Sequence, residues 1–187
     1  RPPRSTLFPY TTLFRSTNGN YMVSLRGVNP NSYPAQKFSI AMPVFSNLGI
    51  GIYRSFKALS VDGGLIGDVK IGFEFGQEPF AQEFYVNKQG QTNIRKQNPL
   101  LFWCTAACRV DFTPNVVFDE LKPYSQIEIG GTQIGPIVKL QTGLNFDIAG
   151  GFGVQAGIEG SSLLFKNQTE WYSSEKISIF YGMTLKF

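Results

Sequence analysis

The 187-residue chain contains no histidine. That absence removes Ser-His-Asp and Cys-His catalysis and every His-ligated metal site. Cysteine is nearly absent too, with only Cys104 and Cys108. On a strand, residues four apart stand ~13 Å apart, beyond disulfide reach, so two unpaired thiols on an apolar strand face are expected. Two cysteines without histidine make a poor metal site. No apolar run approaches the ~18 residues that a membrane helix requires. Catalytic, metal and cofactor residues are accordingly predicted as none.

The first sixteen residues, Arg1 to Ser16 (R-P-P-R-S-T-L-F-P-Y-T-T-L-F-R-S), match a translation of a common sequencing adapter residue for residue. Residues 1–16 are therefore expected to be a library artefact outside the fold, with the natural domain at 17–187 and the natural start upstream. A missing signal peptide then carries no weight. Without Arg1, Arg4 and Arg15 the formal charge of +4 falls to about +1. No basic surface remains to argue for a nucleic-acid partner.

Glycine (20 residues) and aromatics (14%) are plentiful, and the turn signals recur regularly. This composition favours an all-β architecture. Tyr21 to Val28 opens the pattern, and Asn29 to Pro34 reads as a loop. Lys37 to Phe45 is predicted to pair with Leu48 to Leu59 across Ser46-Asn47. Leu65 to Phe75 alternates after an Asp62-Gly63 turn. Ala81 to Val86 and Tyr124 to Ile129 are short candidates. Leu101 to Phe112 sets Phe102, Cys104, Ala106, Cys108, Val110 and Phe112 against Trp103, Thr105, Arg109 and Asp111. Ile134 to Ile148 alternates throughout, broken only by Ile137, and a Gly150-Gly151 turn leads into Phe152 to Ile158. Gly49-x-Gly51 and Gly150-Gly151-x-Gly153 open no helix, so they read as strand glycines facing a crowded interior rather than phosphate loops. Asn167-Gln168-Thr169 is a formal glycosylation sequon, without meaning in a bacterial protein.

The last eleven residues, Ile177 to Phe187, place Ile177, Ile179, Tyr181, Met183, Leu185 and Phe187 on one face. This alternation, G-P-I-V-K-L-Q-T-G-L-N-F before it and the terminal Y-G-M-T-L-K-F resemble the small outer-membrane β-barrels of Bacteroidetes-type bacteria. The resemblance is one of pattern and transfers no functional residue. It implies an antiparallel up-and-down transmembrane barrel whose partners are outer-membrane lipid and the barrel-assembly machinery, the latter reading the strand that ends at Phe187. Barrel enzymes of that membrane mostly rely on a histidine, which this chain lacks.

Alternation alone does not say which face is inside. Three features favour a membrane barrel over a soluble sandwich. Strands of eleven to fifteen residues exceed the about 9–11 that cross a tilted bilayer. The polar faces carry both signs: Asp68, Lys70, Glu74, Arg109, Asp111, Lys139, Asp147, Glu159, Lys176 and Lys186. Turn parity counted back from a periplasmic Phe187 puts Ala149–Gly151 and Ser46–Asn47 on the inside. Between eight and ten strands fit. Ten is favoured, because eight leaves Gly76 to Pro99 as a long periplasmic connection. Tyr53, Trp171, Tyr172, Tyr181 and Phe187 are candidates for interfacial girdles. The expected function is a structural or surface-interaction barrel with a side-chain-filled lumen, ligand unknown. The alternatives are a soluble periplasmic lipocalin-like binder and a carboxylate-based barrel hydrolase, the latter without a motif.

Overall fold

A computed structural model describes residues 21–28, 48–61, 64–88, 91–112, 121–167 and 169–187. The adapter-like segment, the Asn29–Pro34 loop, the Lys37–Phe45 strand, the Ser46–Asn47 hairpin and the Asp62–Gly63 turn lie outside these residues. The described residues form ten strands and no helix. They are β1 (Tyr21–Val28), β2 (Leu48–Val61), β3 (Gly64–Pro79), β4 (Gln82–Lys88), β5 (Gln91–Gln97), β6 (Leu100–Phe112), β7 (Leu121–Thr132), β8 (Pro136–Ala149), β9 (Phe152–Asn167) and β10 (Glu170–Lys186).

Eight strands close an antiparallel barrel in the order β1-β10-β9-β8-β7-β6-β3-β2. The remaining two, β4 and β5, pair only with each other, as a hairpin inserted between β3 and β6. Thus the all-β barrel expected from the alternation is present, and its strand count lies at the lower end of the expected range. The favoured count of ten is corrected to eight barrel strands, because the two short candidates behave differently. Tyr124–Ile129 belongs to the barrel as part of β7, whereas Ala81–Val86 contributes to the hairpin outside it. β2 also begins at Leu48 at the end remote from Phe187, not beside it, since Leu48 faces Gly27 while Tyr21 meets Phe187. The long connection through residues 80–99 accordingly opens at the far end.

Tracing strand partners once around the barrel from Ser162 returns to β9 at Phe152, ten residues along. Eight strands with that stagger tilt by roughly 40° and gain about 2.5 Å of height per residue. Closure is made by β1 against β10. There the Tyr21 N–H donates to the Phe187 carbonyl (3.2 Å) and the Phe187 N–H to that of Tyr21 (3.1 Å). Their rings stack at 6.3 Å. At the same end β8 turns into β9 through Gly150 (φ 59°) and Gly151 (φ 84°), both in the left-handed region that a two-residue hairpin with matching twist demands.

The alternation resolves as inside-out. Leu140, Leu144, Phe146, Ile179 and Met183 point outward, while Lys139, Gln141 and Asn145 point inward and are buried. Cys104 and Cys108 are both free and both on the outer face of β6, as strand spacing requires. The interior is narrow, and glycines make room for its rings. A Cβ at Gly76 would stand 2.4 Å from the Trp103 indole, and one at Gly51 would stand 2.6 Å from the Tyr53 ring. A Cβ at Gly157 would stand 2.8 Å from the Phe180 ring. The large residues that seemed to break the pattern, Ile137 and Phe180, are wholly buried inside. Tyr53 and Tyr172 also turn inward, so of the girdle candidates only Trp171, Tyr181 and Phe187 are exposed.

These contacts separate two kinds of glycine. Gly76→Val should destabilise the barrel by about 1–3 kcal/mol through overpacking against Trp103. Gly160→Val, where a Cβ meets nothing within 4 Å, should shift the urea midpoint by less than the measurement error.

Candidate functional site

The lumen is where the chain concentrates its chemistry. Among the described residues, five cations (Arg26, Lys70, Arg109, Lys139, Lys176) and five carboxylates (Glu74, Glu78, Asp111, Glu128, Glu159) are buried there. Strand alternation places each of them: every inward position comes two residues after the last, so one strand delivers Glu74 and Glu78, and another Arg109 and Asp111. Isolated, any one of these ions would cost several kcal/mol to desolvate. The equal number of signs allows mutual compensation, and the contacts show how it is achieved.

Arg26 of β1 is the hub. Its guanidinium pairs with Glu159 of β9, with Glu74 of β3 at 2.7 Å and with Glu128 of β7 at 3.4 Å. These carboxylates are shared in turn. Glu74 accepts from the Tyr53 hydroxyl and from the Gln126 amide (3.0 Å). Glu128 accepts from Thr105 (2.9 Å), Gln126 (2.8 Å) and Gln141. Glu159 also receives Lys139 at 3.3 Å and Gln141 at 3.2 Å. The hub therefore ties strands on opposite walls of the barrel.

Two further layers flank it. Toward the Phe187 end, Asp111 holds both Lys70 and Arg109 (2.6 Å), and Arg109 reaches Gln155 at 2.8 Å while lying 3.5 Å above the Tyr124 ring. At the rim, half-buried Asp147 takes Lys186 at 2.6 Å and Lys122 at 3.2 Å. Toward the far end, Glu78 bridges Lys139 and Lys176, the latter at 2.9 Å, and the Lys139 ammonium sits 3.8 Å from the Trp103 ring centre. Above that layer the lumen changes character. Phe80 and Phe84 pack on Leu101, Trp103, Ile137, Leu163 and Phe165, sealing the interior with apolar groups.

Most of the charges assigned to the polar faces from sequence are thus in the lumen. Asp68 is on the same face by register, opposite Asp111, and is exposed at the rim near the start of β3. The same reasoning passed over Arg26, Glu78 and Glu128. The alternation of Leu25 with Arg26, and of Ile127 and Ile129 around Glu128, carried that signal. Phe80 had none, because it lies between two strands, and Phe84 fell in the short candidate Ala81–Val86, whose packing partners are distant in sequence. Among the described residues no cluster of His, Cys, Asp or Glu is arranged to hold a metal ion.

No family model matches the chain, and no curated protein matches it. One similar solved structure is the crystal structure of Neisserial surface protein A (NspA), at 10% sequence identity and a TM-score of 0.49. The likeness covers 90% of this chain and 97% of that one. Nothing of that protein's role passes to this chain on such a likeness.

Removing the hub's cation strands three carboxylates in a dry interior. Arg26→Met should therefore cost about 3–5 kcal/mol. Lys96→Met, which breaks only the exposed hairpin pair with Glu83, should cost less than about 1 kcal/mol. Equilibrium unfolding in urea measures both.

Proposed function

We propose that this chain is an integral outer-membrane β-barrel of a bacterium, with a structural or surface-interaction role and no catalytic activity. The observation that carries the reading is its inverted burial. Every barrel strand turns apolar groups outward, from Leu25 on β1 through Ile52, Phe73, Phe102, Ile129, Leu140 and Ile158 to Ile179 on β10, while ten charged side chains are buried inside. A water-soluble barrel would expose an apolar patch far beyond the few hundred Å² that monomers tolerate. In lipid the same belt is the expected surface. On β10 it runs from Ile177 to Phe187, ~25 Å tall at this tilt, which matches the apolar band of such barrels.

Outward charges respect the belt. Arg54 stands toward the Phe187 end, and Lys166 and Glu175 toward the other. Exposed Tyr21 and Phe187 at one side and Trp171 at the other suit interfacial girdles, whereas Tyr181 lies within the belt between Ile179 and Met183. β1 ends and β2 begins at the end remote from Phe187, where β3 also ends and β6 begins on either side of residues 80–99. In barrels of this class long loops face outward and short turns face the periplasm, which supports a periplasmic Phe187. The partners on this reading are outer-membrane lipid and, through β10 and Phe187, the machinery that inserts barrels. A Bacteroidetes-type source belongs to the same proposal and rests on the C-terminal pattern alone.

The lumen argues against transport and against a lipocalin-like role, because paired charges and rings occupy the space a solute would need. The carboxylates that a hydrolase would employ are held in ion pairs. The far-end connections are then the surface available for contact with other molecules.

Two experiments check the membrane assignment. Detergent-solubilised protein should migrate faster unboiled than boiled, whereas a protein soluble without detergent would exclude the proposal. Met183→Arg, in mid-belt, should cost about 2–4 kcal/mol in lipid vesicles, and a soluble barrel would tolerate it.

A further inference from the structure

Arg54 of β2 breaks the rule that charge goes inside. It faces outward, in register with Tyr21 of β1 on one side and Ile71 of β3 on the other, and both neighbours are exposed. Ile52 and Phe56, the outward residues before and after it on its own strand, are exposed as well. Among the described residues, no outward-facing position of β1, β2 or β3 is a carboxylate, so the wall supplies no counter-ion there. The side chain also leans one way. Its guanidinium carbon lies 5.6 Å from the centre of the Phe56 ring. Because β2 starts at the end remote from Phe187, Phe56 is two residues nearer the Phe187 rim than Arg54 is. The guanidinium therefore points at the rim and away from mid-belt. Beside it, the Tyr21 ring stacks on Phe187 at 6.3 Å.

We propose that Arg54 and Tyr21 hold the phosphate of a glycerophospholipid against the outer wall, in the leaflet on the Phe187 side. This rests on the membrane reading above and adds a ligand site to it. An unpaired guanidinium against hydrocarbon is unfavourable, and long cationic side chains relieve this by extending toward the headgroup layer. The lean toward Phe56 has that direction, and the ring face stabilises the cation on the way. At the depth of the rim the membrane offers a phosphodiester, an anion that the planar fork of an arginine meets with two parallel hydrogen bonds. Tyr21, in register with Arg54, brings a hydroxyl able to donate to the same group. Above them Ile52 and Ile50 continue the outward face of β2, a surface on which the acyl chains lie. The site also crosses the closure of the barrel, since Arg54, Tyr21 and Phe187 belong to β2, β1 and the end of β10. A bound lipid thus touches all three strands that meet at the seam.

The test titrates the full chain, solubilised in a maltoside detergent, with dioleoylphosphatidylglycerol and with dioleoylglycerol, which has the same acyl chains and no phosphate. Native mass spectrometry counts the lipids retained. The unaltered barrel should hold the phospholipid at least about tenfold more tightly than the diacylglycerol. Arg54→Gln should abolish that preference. Arg95→Gln, the same change of charge on the exposed hairpin strand β5, should keep it. Heat-modifiable migration establishes that each barrel is closed. If Arg54→Gln does not close, Arg54→Lys takes its place, and loss of the paired N–H donors should then weaken the phospholipid by at least about threefold. No preference in the unaltered barrel, or an undiminished one in the closed Arg54 variant, would overturn the proposal. A barrel that requires detergent and shows either result removes the lipid site alone, whereas a protein soluble without detergent removes the membrane reading itself.

Discussion

Everything in this barrel depends on neutralising charge where water is excluded. The Arg26 guanidinium meets carboxylates from β3, β7 and β9, and each of those carboxylates has further donors. The pairing is stabilising only because no member is left alone. Removing one ion from such a set costs more than the set contributes as a whole. Among the described residues the buried cations and acids are equal in number, which lets a polar lumen hold them in pairs. This pairing also fixes which walls face one another, since salt bridges across a closed barrel cannot form in a slipped register.

Size is the second constraint. Eight strands enclose a space that side chains alone can fill. Large inward groups therefore need small neighbours, and the chain supplies glycine at Gly51 beneath Tyr53, at Gly76 beneath Trp103 and at Gly157 beneath Phe180. These three contacts explain why a glycine-rich strand is tolerated despite its entropy cost. The space left by the glycines thus sets which rings the lumen can hold.

Much of this was legible in the chain. Period-two alternation identified the long strands, and the face each residue takes is the predicted one for β8, β10 and β6. The free thiols of Cys104 and Cys108 followed from strand spacing. Strand membership was harder, because it is decided by partners distant in sequence. Tyr124–Ile129, a short candidate counted in the favoured ten, continues on both sides into a twelve-residue strand. Ala81–Val86 looked equivalent yet pairs with Gln91–Gln97 outside the barrel. Ile137 and Phe180, apparent errors in the pattern, mark the places where the interior is apolar. Phe80 was invisible because it lies between strands, where no period marks the inward face.

The central claim is that the apolar belt faces lipid while the charged lumen stays apart from it. Quenching by bromines placed on phospholipid acyl chains tests this directly, using two single-tryptophan proteins refolded into vesicles. One keeps Trp103 with Trp171→Phe, and the other carries Leu140→Trp with Trp103→Phe and Trp171→Phe. Strong quenching of the outer tryptophan at position 140 and little of Trp103 is the predicted result. The opposite pattern, or no quenching of either because the protein does not enter the bilayer, would contradict it.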